Sequence, residues 1–213
     1  MSRKKTPGGE FTGKEGNTVG YLLKNKWVKR TIGANDGPRS ARQLAIYQLT
    51  RDINLFLQPI KEFLRIGFEL ANKGSNMSTT NMAYSHIFNN AIKGEYPDQE
   101  IDFTKVLLSK GKMRETLGQQ VKIIESGLEF SWNPELLGNM NWDDTVMLVA
   151  YMPALNDSQY LLSGGRRNGG TEILNLTGIP DETLIHTYVS FISANRKIIS
   201  DSVYTGTVIW NTK

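Results

Sequence analysis

LIHTYVSFIS, residues 184–193, decides the fold class. Ile185, Val189 and Phe191 fall on one side of an extended chain, and His186, Tyr188 and Ser190 fall on the other. A strand of this pattern packs one face inward and turns the other to solvent or to a second sheet. Working outward, similar short runs recur with turn residues between them: IDFTKVLLS, QQVKIIES, GLEFSWN, TVMLVAYMP, SQYLLSG and GTEILNLTG before it, and SDSVYTGTVI after it. Residues from about 100 to 209 therefore read as an all-β module, an antiparallel sandwich.

Upstream the hydrophobic period changes. ARQLAIYQLTRDINLFLQPIKEFLRIGFELANK, residues 41–73, sets Leu44, Tyr47, Leu49, Ile53, Phe56 and Leu57 at helical spacing before Pro59. Phe63, Leu64, Ile66, Phe68 and Leu70 continue the pattern behind it. Proline lacks the amide donor and clashes with the preceding turn, so a kink or two helices meeting at Gln58-Pro59 is expected. Ser40, with Gln43 three residues on, is a capping-box pattern that starts the first helix. A third helix is expected from about Thr80 to Lys93, with Met82, Ile87, Phe88, Ala91 and Ile92 on one side and Gly94 stopping it. Ahead of the helices, TVGYLLKNKWVKRTIG, residues 18–33, reads as a β-hairpin with Asn25 at its tip, followed by the turn-rich linker GANDGPRS. The expected class is α+β: a flexible basic arm over 1–17, the hairpin plus helices over 18–98, and the β-sandwich over 99–213.

Charge is segregated along the chain. Residues 1–51 hold 11 Lys/Arg against 3 Asp/Glu, and the rest hold 14 against 18, which together make the formal +4. A basic leader on a mildly acidic body suits contact with a polyanion or with the acidic face of a neighbouring copy. With 213 residues, 39% of them hydrophobic, the chain is long enough to bury a core. It holds no cysteine and only two histidines, His86 and His186, so disulfides, thiol nucleophiles and zinc-ribbon sites are not expected. MSRKKTPGGE lacks an apolar signal region, and no stretch approaches the roughly 18 apolar residues of a membrane span. The expectation is a soluble protein, cytoplasmic or carried in a virion.

GLEFSWNPE, then VMLVAYMPA, then a long Tyr-bearing strand and the Ser-rich ISDSVYTGTV give an order that resembles a fibronectin type III or related immunoglobulin-like sandwich. That resemblance implies that Trp132 is the tryptophan between the two sheets, while Tyr188 stands later in its strand than a tyrosine corner prefers. A second resemblance covers nearly the whole chain. GKEGNTVGYLLKNKWVKRTIG, FLQPIKEFLRIGF, GEYPDQEIDFTKVLLSKG and HTYVSFISANRKIISDSVY look like uncharacterised Bacteroidota proteins of about this length, grouped as a domain family of unknown function. It implies that hairpin, helices and sandwich belong together, and it transfers no activity.

Candidate chemistry is sparse. GGEFTGKE, residues 8–15, has the G-x-x-x-x-G-K spacing of a phosphate-binding loop, but Glu15 stands where Ser or Thr must hold magnesium. GGRRNGG, residues 164–170, offers Arg166 and Arg167 to an anion, against the plainer reading of a glycine-rich turn with solvated arginines. His186 lacks any nucleophile context, which leaves it a strand-face histidine bonded to a neighbour. Asp98, Glu100 and Asp102 alternate in a strand pattern that offers oxygens to calcium, yet read as solvated carboxylates; Asp143-Asp144 and Asp181-Glu182 read as turn residues. No catalytic group, metal site or cofactor is expected.

The basic leader is the feature that carries a function. Its contact residues are expected to be Lys4, Lys5, Lys14, Lys24, Lys26, Lys29 and Arg30, with Tyr21 and Trp27 either stacking on bases or anchoring the hairpin. Three classes remain. The first is a structural or assembly protein, such as a phage or prophage virion component, forming a homo-oligomer or binding other subunits, with the arm on nucleic acid or a neighbour. The second is a monomeric nucleic-acid-binding protein. The third is an adhesive or carbohydrate-binding module using Trp142 or Trp210; an enzyme comes last.

Overall fold

The computed structural model describes residues 11–23, 25–33 and 37–211. The chain divides into two compact units, residues 1–40 and residues 41–213.

In the first unit, β1 (Gly13–Glu15), β2 (Thr18–Leu23) and β3 (Lys26–Thr31) form an antiparallel meander in that order. The hairpin tip falls at Asn25, whose φ of 61° lies in the left-handed region that asparagine tolerates. Residues 13–15, expected within a flexible arm over 1–17, form a strand instead, and residues 1–10 of that arm lie outside the described residues. Gly13–Glu15 pair with Thr18–Gly20, and Phe11 is buried. The reason is Gly20: a Cβ there would overlap the Phe11 carbonyl, so the bare backbone lets the leading chain lie against β2.

The second unit opens with α1 (Ala41–Leu57) and α2 (Lys61–Gly67), which part at Gln58-Pro59 as the proline dictates. The Pro59 carbonyl accepts a bond of 3.0 Å from the Ser158 hydroxyl, so the break is tied to the sheet. α3 (Thr79–Asn90) is capped by Ser78, whose side chain accepts from the Asn81 amide at 3.1 Å. It ends before Gly94, which serves instead in the turn between β4 (Ile92–Lys93) and β5 (Glu100–Ile101).

The predicted strand IDFTKVLLS does not form beyond Ile101. The Asp102 carboxylate accepts from the Thr104 amide and starts a short 3-10 turn at Phe103–Lys105. The chain then runs on as an irregular strap through residue 114, held by bonds such as Leu108 N–H to the Ser202 hydroxyl at 2.7 Å and the Ser109 hydroxyl to the Ser200 carbonyl at 2.9 Å. Local side-chain bonding has here displaced extension.

The other β segments form as read: β6 (Gln120–Ile124), β7 (Gly127–Ser131), β8 (Thr145–Met152), β9 (Asp157–Leu161), β10 (Thr171–Asn175), β11 (Thr183–Ile192) and β12 (Val203–Trp210). They make a three-stranded sheet, β10-β7-β6, and a four-stranded sheet, β12-β11-β8-β9, every pairing antiparallel. One core lies between the sheets, with Leu128, Phe130, Trp132 and Leu174 against Val146, Leu148, Ile185, Val189 and Phe191. Trp132 sits edge-on to Phe191 at 5.2 Å, where the resemblance implied an inter-sheet tryptophan.

The far face of the four-stranded sheet meets no second sheet; the helices cover it over β8 and the C-terminal half of β11, while Leu184, Thr207 and Ile209 at its β12 end are exposed. Met147, Val149, Tyr151, Tyr188 and Ile192 share a core with Ile53, Phe56, Leu57, Phe63, Leu64 and Ile87. That is why TVMLVAYM is an unbroken apolar run: β8 is buried on both faces from Val146 to Met152. It also moves the boundary expected at residue 98, since helices and sandwich fall in one compact unit and the meander in the other. Leu44 and Tyr47, expected in the helical stripe, are exposed at the start of α1, upstream of its first buried residue, Leu49.

Candidate functional site

The registers sort the basic residues of the meander by face. Lys14 lies opposite Val19, which lies opposite Arg30; Tyr21 pairs with Val28, and Leu23 with Lys26. Because side chains alternate, Lys14, Arg30, Lys26, Tyr21, Val19, Val28 and Leu23 share one face. Lys29 and Trp27 stand on the other with Leu22, and the Lys29 ammonium lies 5.5 Å from the centre of the Phe11 ring. Glu15 is the one carboxylate among the described residues of these strands, and it falls on the Trp27 face.

The sequence placed Lys24, Lys26, Lys29 and Arg30 on one ribbon beside both aromatics. The period of two divides them, bringing Lys14, Lys26 and Arg30 around Tyr21 and setting Lys29 apart. Lys4, Lys5 and Lys24 lie outside the described residues. Lys14, Lys26, Lys29 and Arg30 are all exposed, as are Leu22, Leu23 and Trp27. Phe11 was not anticipated as a participant, although an aromatic two residues before Gly13 was visible in the sequence. Lys14 sits within a strand rather than at a helix N-terminus, so the phosphate-loop spacing of residues 8–15 lacks the architecture that gives it meaning.

Arg167 corrects the anion-site reading and the solvated-turn reading alike. Its side chain is fully buried, with Nε donating to Asp144 Oδ2 at 3.1 Å, Nη1 donating to the Thr116 hydroxyl, and the guanidinium 3.8 Å from the Phe191 ring centre. The Trp132 indole donates to the Arg167 carbonyl at 2.7 Å. Burial pulls the guanidinium below its ordinary pKa while Asp144 opposes that shift. A buried charge at this position locks the turn to the core and lies out of a solvent ligand's reach. Asp144 is therefore not a solvated turn residue either. Arg166 is exposed and lies over the Trp142 ring at 5.1 Å.

His186 is half-buried, stacked on Phe103 at 4.0 Å between ring centres, with Nδ1 2.9 Å from the Tyr204 hydroxyl. Burial, and secondarily Lys93, pushes it down to about 4. A neutral imidazole bonded to phenol, with no carboxylate orienting it, is a packing residue. Glu100 pairs with Lys93 at 3.0 Å across β4 and β5, and Asp102 with Lys105 at 3.2 Å across the 3-10 turn. Among the described residues, no group of three or more His, Asp or Glu side chains is placed to hold a metal ion. Trp210 is buried, which removes it as a carbohydrate platform, and Trp142 is exposed beside Arg166.

A family model of unknown function, DUF6266, matches residues 10–206, from the residue before Phe11 through the first half of β12. The chain belongs to the DUF6266 family. The match takes in the meander, the helices and both sheets, so they recur as a unit among family members. No curated protein and no solved structure matches the chain. Among the described residues, no helix is long and apolar enough to cross a membrane.

Proposed function

We propose that this protein is a non-enzymatic structural or assembly protein that holds a polyanion, nucleic acid in the first instance, on the Tyr21 face of its N-terminal sheet. The observation that carries the reading is the grouping of Lys14, Lys26 and Arg30 around Tyr21 on a face that carries no carboxylate among the described residues of its strands. Cations in this setting neutralise phosphates and an aromatic ring accepts a stacked base, with little dependence on base sequence. The edge strands β1 and β3 and the exposed Leu22, Leu23 and Trp27 favour a neighbouring subunit beside the same sheet. A particle such as a phage or prophage virion provides both partners. In this reading the sandwich is fibronectin type III-like, supported by its three-plus-four strand order and by Trp132 between the sheets.

The test is light scattering of purified protein at low and high salt, with absorbance at 260 and 280 nm on the same peak, for the natural chain and a Lys14→Ala/Lys26→Ala/Arg30→Ala variant. The expected result is a large species carrying nucleic acid that the variant fails to form and that salt dissociates. A clean monomer of 23.9 kDa at both salts, free of nucleic acid, overturns it.

A further inference from the structure

A cavity of about 520 Å³ in the second unit is ringed by Lys73, Lys110, Lys112 and Lys197, over a floor that includes Leu70 and Ile198. The four lysines come from three separate stretches: the turns after α2, the strap, and the β11–β12 turn. They are four of the 14 cationic side chains beyond residue 51, in a region whose carboxylates outnumber its cations. None of the four forms an ion pair among the described residues, and no carboxylate lines the cavity. All four are exposed, and a concave wall concentrates the field of the cations around it.

The rim is fixed before any ligand arrives. The Lys110 amide donates to the Gly67 carbonyl at 2.9 Å, the Lys112 carbonyl accepts from the Asn139 amide group at 2.8 Å, and the Lys197 amide donates to the Ser193 hydroxyl at 3.1 Å. Between the two strap lysines, a Cβ at Gly111 would overlap the Ile199 carbonyl, and the Gly111 amide donates to Asp201 Oδ1 at 2.8 Å. Glycine thus lets the strap seat directly on the segment that leads into β12, which sets Lys110 and Lys112 beside the cavity. Asp201, held by that bond, lines a neighbouring hollow with Arg114 and Glu115, and that hollow shares Gly111 and Lys112 with this cavity.

We infer that this cavity binds an organic phosphate: a phosphate ester whose charge meets the four ammonium groups and whose aliphatic body lies on the Leu70 and Ile198 floor. The volume is in the range of small-molecule sites, and the absence of an aromatic in the lining favours an aliphatic body over a stacked base. The chemistry is common to a free phosphate ester and to a phospholipid headgroup.

Calorimetric titration of the full chain at low salt with octyl phosphate, and separately with inorganic phosphate, tests it, alongside sedimentation with phosphatidylcholine vesicles with and without phosphatidic acid. Octyl phosphate is expected to bind more tightly than inorganic phosphate, and Lys110→Ala/Lys197→Ala to weaken it by about fivefold or more with an unchanged melting temperature. The Lys14→Ala/Lys26→Ala/Arg30→Ala variant keeps the binding, so failure of the N-terminal sheet reading leaves this one standing. Sedimentation with phosphatidic acid that the two-lysine variant loses assigns a lipid source. Binding of neither octyl phosphate nor vesicles, equal affinity for inorganic phosphate, or indifference to the two-lysine substitution overturns the inference.

Discussion

Arg167 shows how far a single residue can depart from its neighbours in sequence. It follows an exposed arginine in a run of glycines, yet its guanidinium lies in the inter-sheet core against Phe191 and Asp144. Removing either partner leaves the other charge buried alone, so Asp144→Asn is expected to cost about 3–5 kcal/mol in urea unfolding. Pairing it with Arg167→Met is expected to recover part of that loss, and a double-mutant cycle reads the coupling. His186 gives the pH dependence. Its folded pKa is lowered to about 4 from the ordinary 6.5, so between those values the unfolded chain binds the proton and the folded one does not. Stability from this residue is full above pH 6.5 and falls as the pH drops toward 4. Denaturation midpoints measured from pH 7 to 4 are expected to fall less steeply for His186→Gln than for the natural chain.

At the scale of elements, alternation was legible wherever the backbone was free to extend. LIHTYVSFIS placed Ile185, Val189 and Phe191 in one core and Tyr188 in the other, as the period of two required. Pro59 divided the helices where its missing amide said it must. What could not be read was competition from side chains: Asp102 turned a strand-like run into a strap by accepting from Thr104, and no hydropathy pattern records that. The long-range seat of the strap was equally silent, because Gly111 reads as an ordinary turn glycine until Ile199 is placed against it. For the candidate site the residues were legible and their grouping was not, since Lys14 joins Arg30 and Tyr21 on one face only once the cross-strand register is known. Helix capping provides a test at this scale: Ser78→Ala removes the acceptor for Asn81 N–H and is expected to lower stability by about 1 kcal/mol in chemical denaturation.

For the whole molecule, the division at residue 40 predicts separable behaviour. A chain beginning at Ala41 is expected to unfold in one cooperative thermal transition by circular dichroism and to lose salt-sensitive polyanion binding. Two transitions within 41–213 would contradict a shared core of helices and sandwich. That shared core bears on descent as well as on stability. Met147, Val149, Tyr151 and Ile192 face helices, and a bare sandwich of the same strand order would expose those positions to water. Any lineage that shed the helical layer would have had to exchange them for polar residues at nearly the same time. Those positions therefore form a written record, readable in a sequence alone, of whether a relative still wears the outer layer.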